Sequence, residues 1–243
     1  INMCGFIALY GKNLPDSYKL KDSLESMSHR GPDNTKIFKS NNLWFGFNRL
    51  KIIDISDKSN MPLKYGPLTI MLNGQIFNYL ELKNKLISEK ITFKTSGDVE
   101  VLAASIYVYG IKKTLRLIKG MWSFICHDNR DDTISVSRDP FGKKPLWQAK
   151  INNTYIFSSE IKSILKLYPS LKEIDEMKVS SFLINGDVGI DNNCFFQNIK
   201  TFPINSYAIL KNNKIDYYKD KSIENLQNNK PNPDDIKLLL NNA

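Results

Sequence analysis

The chain has 243 residues, 42% of them apolar and 24% charged, enough apolar material for the core of one large domain or two small ones. Disorder throughout, collagen and a small disulfide scaffold are excluded; no apolar run approaches the roughly 20 residues of a bilayer crossing, and Ile1-Asn2-Met3 lacks the basic start of a secretory signal, so neither membrane nor export is expected and a cytoplasmic protein is. The net charge is +9, but only five of the 34 basic residues are Arg and the lysines are scattered, which argues against nucleic acid as a partner.

Gly5-Phe6-Ile7-Ala8-Leu9-Tyr10-Gly11 predicts a short buried strand, followed by a helix capped by Asp16 with Leu20, Leu24 and Met27 on its apolar face. Residues 43–50 and 68–72 read as strands, and residues 78–90 and 99–109 carry helix-period apolar positions such as Leu82 and Leu86. Beyond them the pattern turns to β. Residues 121–127, 133–136, 146–149 and 155–157 are short runs split by turn clusters such as Asp128-Asn129-Arg130-Asp131-Asp132, a spacing that suits antiparallel hairpins. A last hairpin, residues 207–210 and 214–218, turns at Asn212-Asn213. The expected fold is therefore α+β, a layered domain with packed antiparallel sheets. Residues 221–235 are polar and Asn-rich and read as a linker, with Asp234 capping a helix from Ile236. Leu238-Leu239-Leu240 would leave that helix with uncovered leucines, which suggests a fragment of a longer protein.

The chemistry must work with few groups. Cysteines at 4, 126 and 194 form neither a disulfide framework nor a metal clip, and His29 and His127 are the only histidines. A cysteine freed as the first residue carries its own base, because an α-amine that ordinarily titrates at about 7.7 to 8.0 accepts the proton of a thiol that titrates near 8.5. Met3-Cys4-Gly5 is a start that trimming would convert to such a residue; the alternative is a buried structural Cys4. Asn73-Gly74 is either a turn or a pair of oxyanion donors. Arg49 is a snorkelling edge residue or a fork for a carboxylate, and Asp98 a helix N-cap or a partner for an ammonium.

Taken in order, Met3-Cys4-Gly5, Ser28-His29-Arg30-Gly31-Pro32-Asp33, Arg49-Leu50, Asn73-Gly74, Ser96-Gly97-Asp98, Gly120-Met121, the Arg138-Asp139-Pro140-Phe141-Gly142-Lys143-Lys144-Pro145-Leu146 stretch and Ser158-Ser159-Glu160-Ile161-Lys162 resemble the class II glutamine amidotransferase domain of asparagine synthetases. The resemblance runs from Cys4 to about Tyr218 and implies the four-layer αββα sandwich of two antiparallel sheets, the N-terminal nucleophile hydrolase fold. It implies hydrolysis of glutamine through a Cys4 thioester, with Asn73 and the Gly74 N–H holding the oxyanion. Arg49 would clamp the substrate carboxylate, Asp98 would pair with the ammonium, and Ile52 and Ile53 would offer backbone contacts. Arg30 and residues 138–145 look structural or domain-facing.

This domain would span residues 4–220, with residues 221–243 a linker and the start of a synthetase domain. No cofactor is implied for the glutaminase half; ATP and magnesium belong to the synthetase domain, its partner, and a homodimer is a candidate assembly. The ammonia acceptor, aspartate by default, is not readable. Two features depart from the pattern. Gln75 stands where the family usually has Glu, and Ile1-Asn2-Met3 blocks the Cys4 amine. A degenerate glutamine-binding or scaffold domain, and an amidohydrolase acting on another amide, are the alternatives.

Overall fold

The computed structural model describes residues 3–12, 14–186, 193–219, 232–234, 237 and 241. Two antiparallel six-stranded sheets form its centre. Strand β1 (Gly5–Tyr10) shows how they are covered. All six of its residues are buried, with Phe6, Ala8 and Tyr10 in one apolar cluster and Ile7 and Leu9 in another. Successive side chains of a strand point to opposite faces, so β1 has protein on both sides. On one face lie α1 (Ser17–Glu25) and α4 (Ile161–Leu167), which supply Leu20, Leu24, Ile164 and Leu167 to the smaller cluster. On the other face lies the second sheet.

Strand β1 pairs with β3 (Leu43–Arg49) and with β9 (Thr154–Ser158). The sheet is completed by β2 (Asn34–Lys39) beside β3, β8 (Trp147–Ile151) beside β9, and β10 (Ile199–Thr201) at the far edge. In the second sheet β4 (Leu63–Tyr65), β5 (Leu68–Ile76), β6 (Gly120–Asp128), β7 (Thr133–Arg138), β11 (Ser206–Lys211) and β12 (Lys214–Lys219) follow one another by hydrogen bonding. Helices α2 (Tyr79–Ser88) and α3 (Asp98–Leu117) pack on its outer face, while α5 (Glu176–Asn185) follows α4. Phe6, Phe45, Phe47 and Phe124 are fully buried in the large cluster, each contributing about 2 to 3 kcal/mol of transfer free energy.

The layers bear out the sequence reading, with instructive differences. Asp16 sits at the N-cap position of α1, but its side chain makes no capping hydrogen bond. The strand expected over 68–72 runs on to Ile76 and takes Asn73-Gly74 into its middle, which removes the turn reading. The helix expected over 99–109 continues to Leu117 across a break at Gly110, whose φ is 75°. Asn212 and Asn213, with φ of 50° and 59°, make the two-residue hairpin turn that matches strand twist. The helix expected from Ile236 and most of the linker lie outside the described residues.

Candidate active site

Cys4 lies immediately before β1, at the end where β3 delivers Arg49 and Leu50. Antiparallel pairing of Gly5 with Asn48 sets this, and the Leu50 N–H donates to the Cys4 sulfur at 3.3 Å. Arg30 fixes the residue from behind. Its Nε donates to the Cys4 carbonyl at 2.9 Å, and its Nη1 meets Glu160 Oε1 at 3.1 Å. Two of the motifs, residues 28–33 and 158–162, thus converge on the main chain of the cysteine. Burial pushes the Cys4 thiol up, the Leu50 N–H and the charges of Arg49 and Lys144 pull it down, and Asp98 adds to the rise.

Arg49, Ile52, Ile53, Gly74, Gln75 and Asp98 line the cleft onto which Cys4 opens. Larger grooves exist elsewhere on the surface, but they gather neither a cysteine nor this pair of opposite buried charges. Arg49 is 4% exposed, which excludes a snorkelling edge residue. Its Nη1 donates to the Ser56 carbonyl and to Asn60 Oδ1, both at 2.7 Å, and its Nη2 donates to the Asp54 carbonyl. The guanidinium therefore organises the loop after β3 as well as facing the cleft. Asp98 is the first residue of α3, with Gly97 at the N-cap, and its Oδ2 accepts from the Ile76 N–H at 2.9 Å. Burial pushes its carboxyl up against the hydrogen bonds from the Ile76, Asp98 and Val99 N–H groups and the pull of Arg49. A cation entering the cleft would favour the charged form.

Asn73 and Gly74 lie in the middle of β5. Asn73 is 1% exposed and its Nδ2 has no hydrogen-bond partner. The neighbouring N–H groups locate the other donor. Leu72 N–H donates to Met61 Sδ and Ile76 N–H to Asp98, so both point away from β6, whereas Phe77 N–H reaches the Lys119 carbonyl on the β6 side. Alternation along an antiparallel strand then directs the Gly74 N–H to the same open edge as Leu72 and Ile76, toward the cleft. No larger residue fits there, since a Cβ on Gly74 would lie 2.3 Å from the Met121 carbonyl oxygen.

Sequence reasoning missed the group that joins these pieces. Asp54 is 7% exposed; its Oδ1 accepts from Ser56 N–H at 2.8 Å, and its Oδ2 from Ser59 Oγ at 2.7 Å and Ser96 N–H at 2.9 Å. It ties the loop that Arg49 holds to the turn that starts α3. Burial works against its charge, but these hydrogen bonds outweigh it and hold the carboxyl well below the usual range. Its stabilising contribution is therefore present above the unfolded value of about 3.9 and is lost as pH falls through the folded one. Asp54→Ala should cost about 2 kcal/mol at pH 7, and urea melts should show that difference shrinking below about pH 4. A pH-independent difference would exclude the carboxylate as its source.

At the mouth of a two-sheet sandwich a cysteine thus stands between a buried guanidinium and a buried carboxylate. Solved structures share the fold. B. subtilis glutamine phosphoribosylpyrophosphate amidotransferase, complexed with ADP and GMP, superposes with a TM-score of 0.65 at 19% identity, over 89% of this chain and 49% of that one. The chain belongs to the glutamine amidotransferase domain family, whose model matches residues 3–220. Its curated relatives include asparagine synthetase (glutamine-hydrolyzing) 1 of Bacillus subtilis, 35% identical over 74% of this chain and 29% of the relative. A putative asparagine synthetase (glutamine-hydrolyzing) 2 of Methanocaldococcus jannaschii is 33% identical over 72% and 36%. The match covers only about a third of the length of these relatives.

Proposed function

We propose that this domain hydrolyses glutamine to glutamate and ammonia through Cys4, and passes the ammonia to an ATP- and magnesium-dependent synthetase domain beyond residues 221–243. One observation carries the reading. A thiol, a buried cation, a buried carboxylate and Gly74 of β5, from four distant parts of the chain, meet around one cleft, and the orphaned Asn73 amide is the neighbour of Gly74 in that strand. Opposite charges suit the two ends of a free amino acid, and a general acylase has no use for them. The thiolate attacks the side-chain amide carbon, the carbonyl electrons move to an oxyanion between Asn73 and Gly74, and ammonia leaves with the proton held by the Cys4 amine. Water then cleaves the thioester and releases glutamate.

The reading requires a free Cys4 amine. Protein beginning at Cys4 should release glutamate from glutamine and gain the mass of a glutamine-like diazo ketone less the dinitrogen it expels on alkylating the thiol, whereas protein retaining Ile1-Asn2-Met3 should do neither. Coupled glutamate assay and intact mass decide it, and equal behaviour of the two proteins would refute the mechanism.

Gln75 contributes a neutral side chain where the cleft meets Asp98. Gln75→Glu should strengthen the contact to the substrate ammonium by about 1.4 kcal/mol and lower the glutamine KM about tenfold, with kcat little changed. An unchanged KM in an active enzyme would remove Gln75 from the substrate.

A further inference from the structure

The loop of residues 139–144 is built around one carboxylate. Asp139 is fully buried; its Oδ1 accepts from the N–H groups of Phe141 and Lys143, and its Oδ2 from that of Lys144, each at 3.0 Å. Arg138 Nε binds the Lys144 carbonyl at 2.9 Å. The main chain of Lys144 is thereby pinned at both its N–H and its carbonyl, and its side chain runs inward to 8% exposure. Burying an ammonium is costly unless an anion compensates. Among the described residues, Lys144 Nζ reaches no carboxylate. Its hydrogen-bond partner is the thioether of Met3 at 3.3 Å, a weak acceptor on the residue directly before the nucleophile.

We propose that Lys144 is a positioning residue for the Cys4 nucleophile, its buried ammonium favouring the thiolate over the thiol. The effect follows from Coulomb's law, since a nearby cation favours a thiolate. The proton that the thiol gives up goes to the freed α-amine, which returns it to the leaving ammonia. The other charges facing Cys4 are Arg49, which acts with Lys144, and Asp98, which opposes it. Arg30 touches the Cys4 carbonyl, and together with Asp139 completes the charged surroundings of Lys144. Burial pulls the Lys144 ammonium down and the Cys4 thiolate draws it partly back up; burial likewise pushes the Cys4 thiol up and the lysine draws it partly back down.

The proposal rests on Cys4 being the nucleophile of the reading above, yet its test needs no glutamine. Iodoacetamide alkylates a thiolate by forming the carbon–sulfur bond as iodide leaves, so the rate at Cys4 against pH, read by peptide mapping in the full chain, reports the thiol directly. Lys144→Gln should move the midpoint up by about one pH unit, and Lys144→Arg, which keeps the charge, should hold it near its original place. An unmoved midpoint in Lys144→Gln overturns the proposal. Where that variant does not fold, the reciprocal measurement decides. The carbon-13 signal of Lys144 in Cys4→Ala should titrate at lower pH than in the unchanged protein, and an unmoved titration also overturns the proposal. In protein beginning at Cys4, Lys144→Gln should also shift the acid limb of kcat/KM for glutamine to higher pH. Protein beginning at Cys4 that shows the alkylation shift and no glutamate release would sink the glutaminase reading and leave Lys144 standing. An active glutaminase with no shift would do the reverse.

Discussion

Cys4→Ala, in protein beginning at that residue, should lower glutamate release by roughly 10⁴-fold or more, because no other side chain in the cleft can form the thioester. The same variant should remain folded. Among the described residues the Cys4 sulfur makes two weak hydrogen bonds, 3.3 Å from the Leu50 nitrogen and 3.6 Å from its carbonyl oxygen, and packs at the rim of the large cluster, so the loss is about 1 kcal/mol. Binding should survive as well. Arg49 and Asp98 are held by their own partners, so glutamine at a hundred times its Kd should still stabilise the variant by about 2.7 kcal/mol. Glutamate assay and thermal melts with and without glutamine separate the two outcomes. Hydrolysis at an equal rate would exclude Cys4 as nucleophile, and a lost melting shift would mean that the thiol itself anchors the substrate.

That separation reflects how the site is built, and how much of it is visible in the sequence. Residue types were legible where chemistry is unusual for the position: a cysteine before a glycine at the chain start, an arginine ending an apolar strand, an aspartate opening a helix. Partners were not legible. Asp54 and Ser96 are 42 residues apart in the chain, and their hydrogen bond exists only once β3 and α3 have been brought to the same end of the sandwich. Lys144 lies in the 138–145 stretch that read as structural or domain-facing, and nothing local says that its side chain ends beside Met3. The same holds for the fold. Strands such as β1 and the central part of β6 announce themselves by unbroken burial, whereas β2, an edge strand with exposed Thr35 and Lys36, carries too little apolar contrast to show its period. Helix α5 also escaped, because Met177, Leu183 and Ile184 are exposed and its apolar residues trace no buried face.

The Asn73-Gly74 pair is where the sequence reading left two outcomes open and where the second large effect is expected. A buried donor without a partner costs about 1 to 3 kcal/mol, and Asn73 Nδ2 carries that cost in the free protein. The cost makes sense if an oxyanion is the missing acceptor, since a donor already in place needs no rearrangement when charge develops. Asn73→Ala should then lower kcat by about 10² to 10³, the effect of losing one such donor, while KM changes little because the interaction forms only as the amide carbonyl becomes tetrahedral. Its stability should scarcely fall, for the substitution also removes the orphaned group. Asn73→Asp sharpens the test. It keeps the shape but presents negative charge to both the thiolate and the oxyanion, so at neutral pH it should be slower than the alanine variant. If the side chain served only to fill space, the ordering would reverse, because aspartate is nearly isosteric with asparagine and alanine leaves a void. Steady-state glutamate release by the three proteins, each beginning at Cys4, reads the order directly, and an aspartate variant faster than the alanine one would take Asn73 out of the oxyanion site.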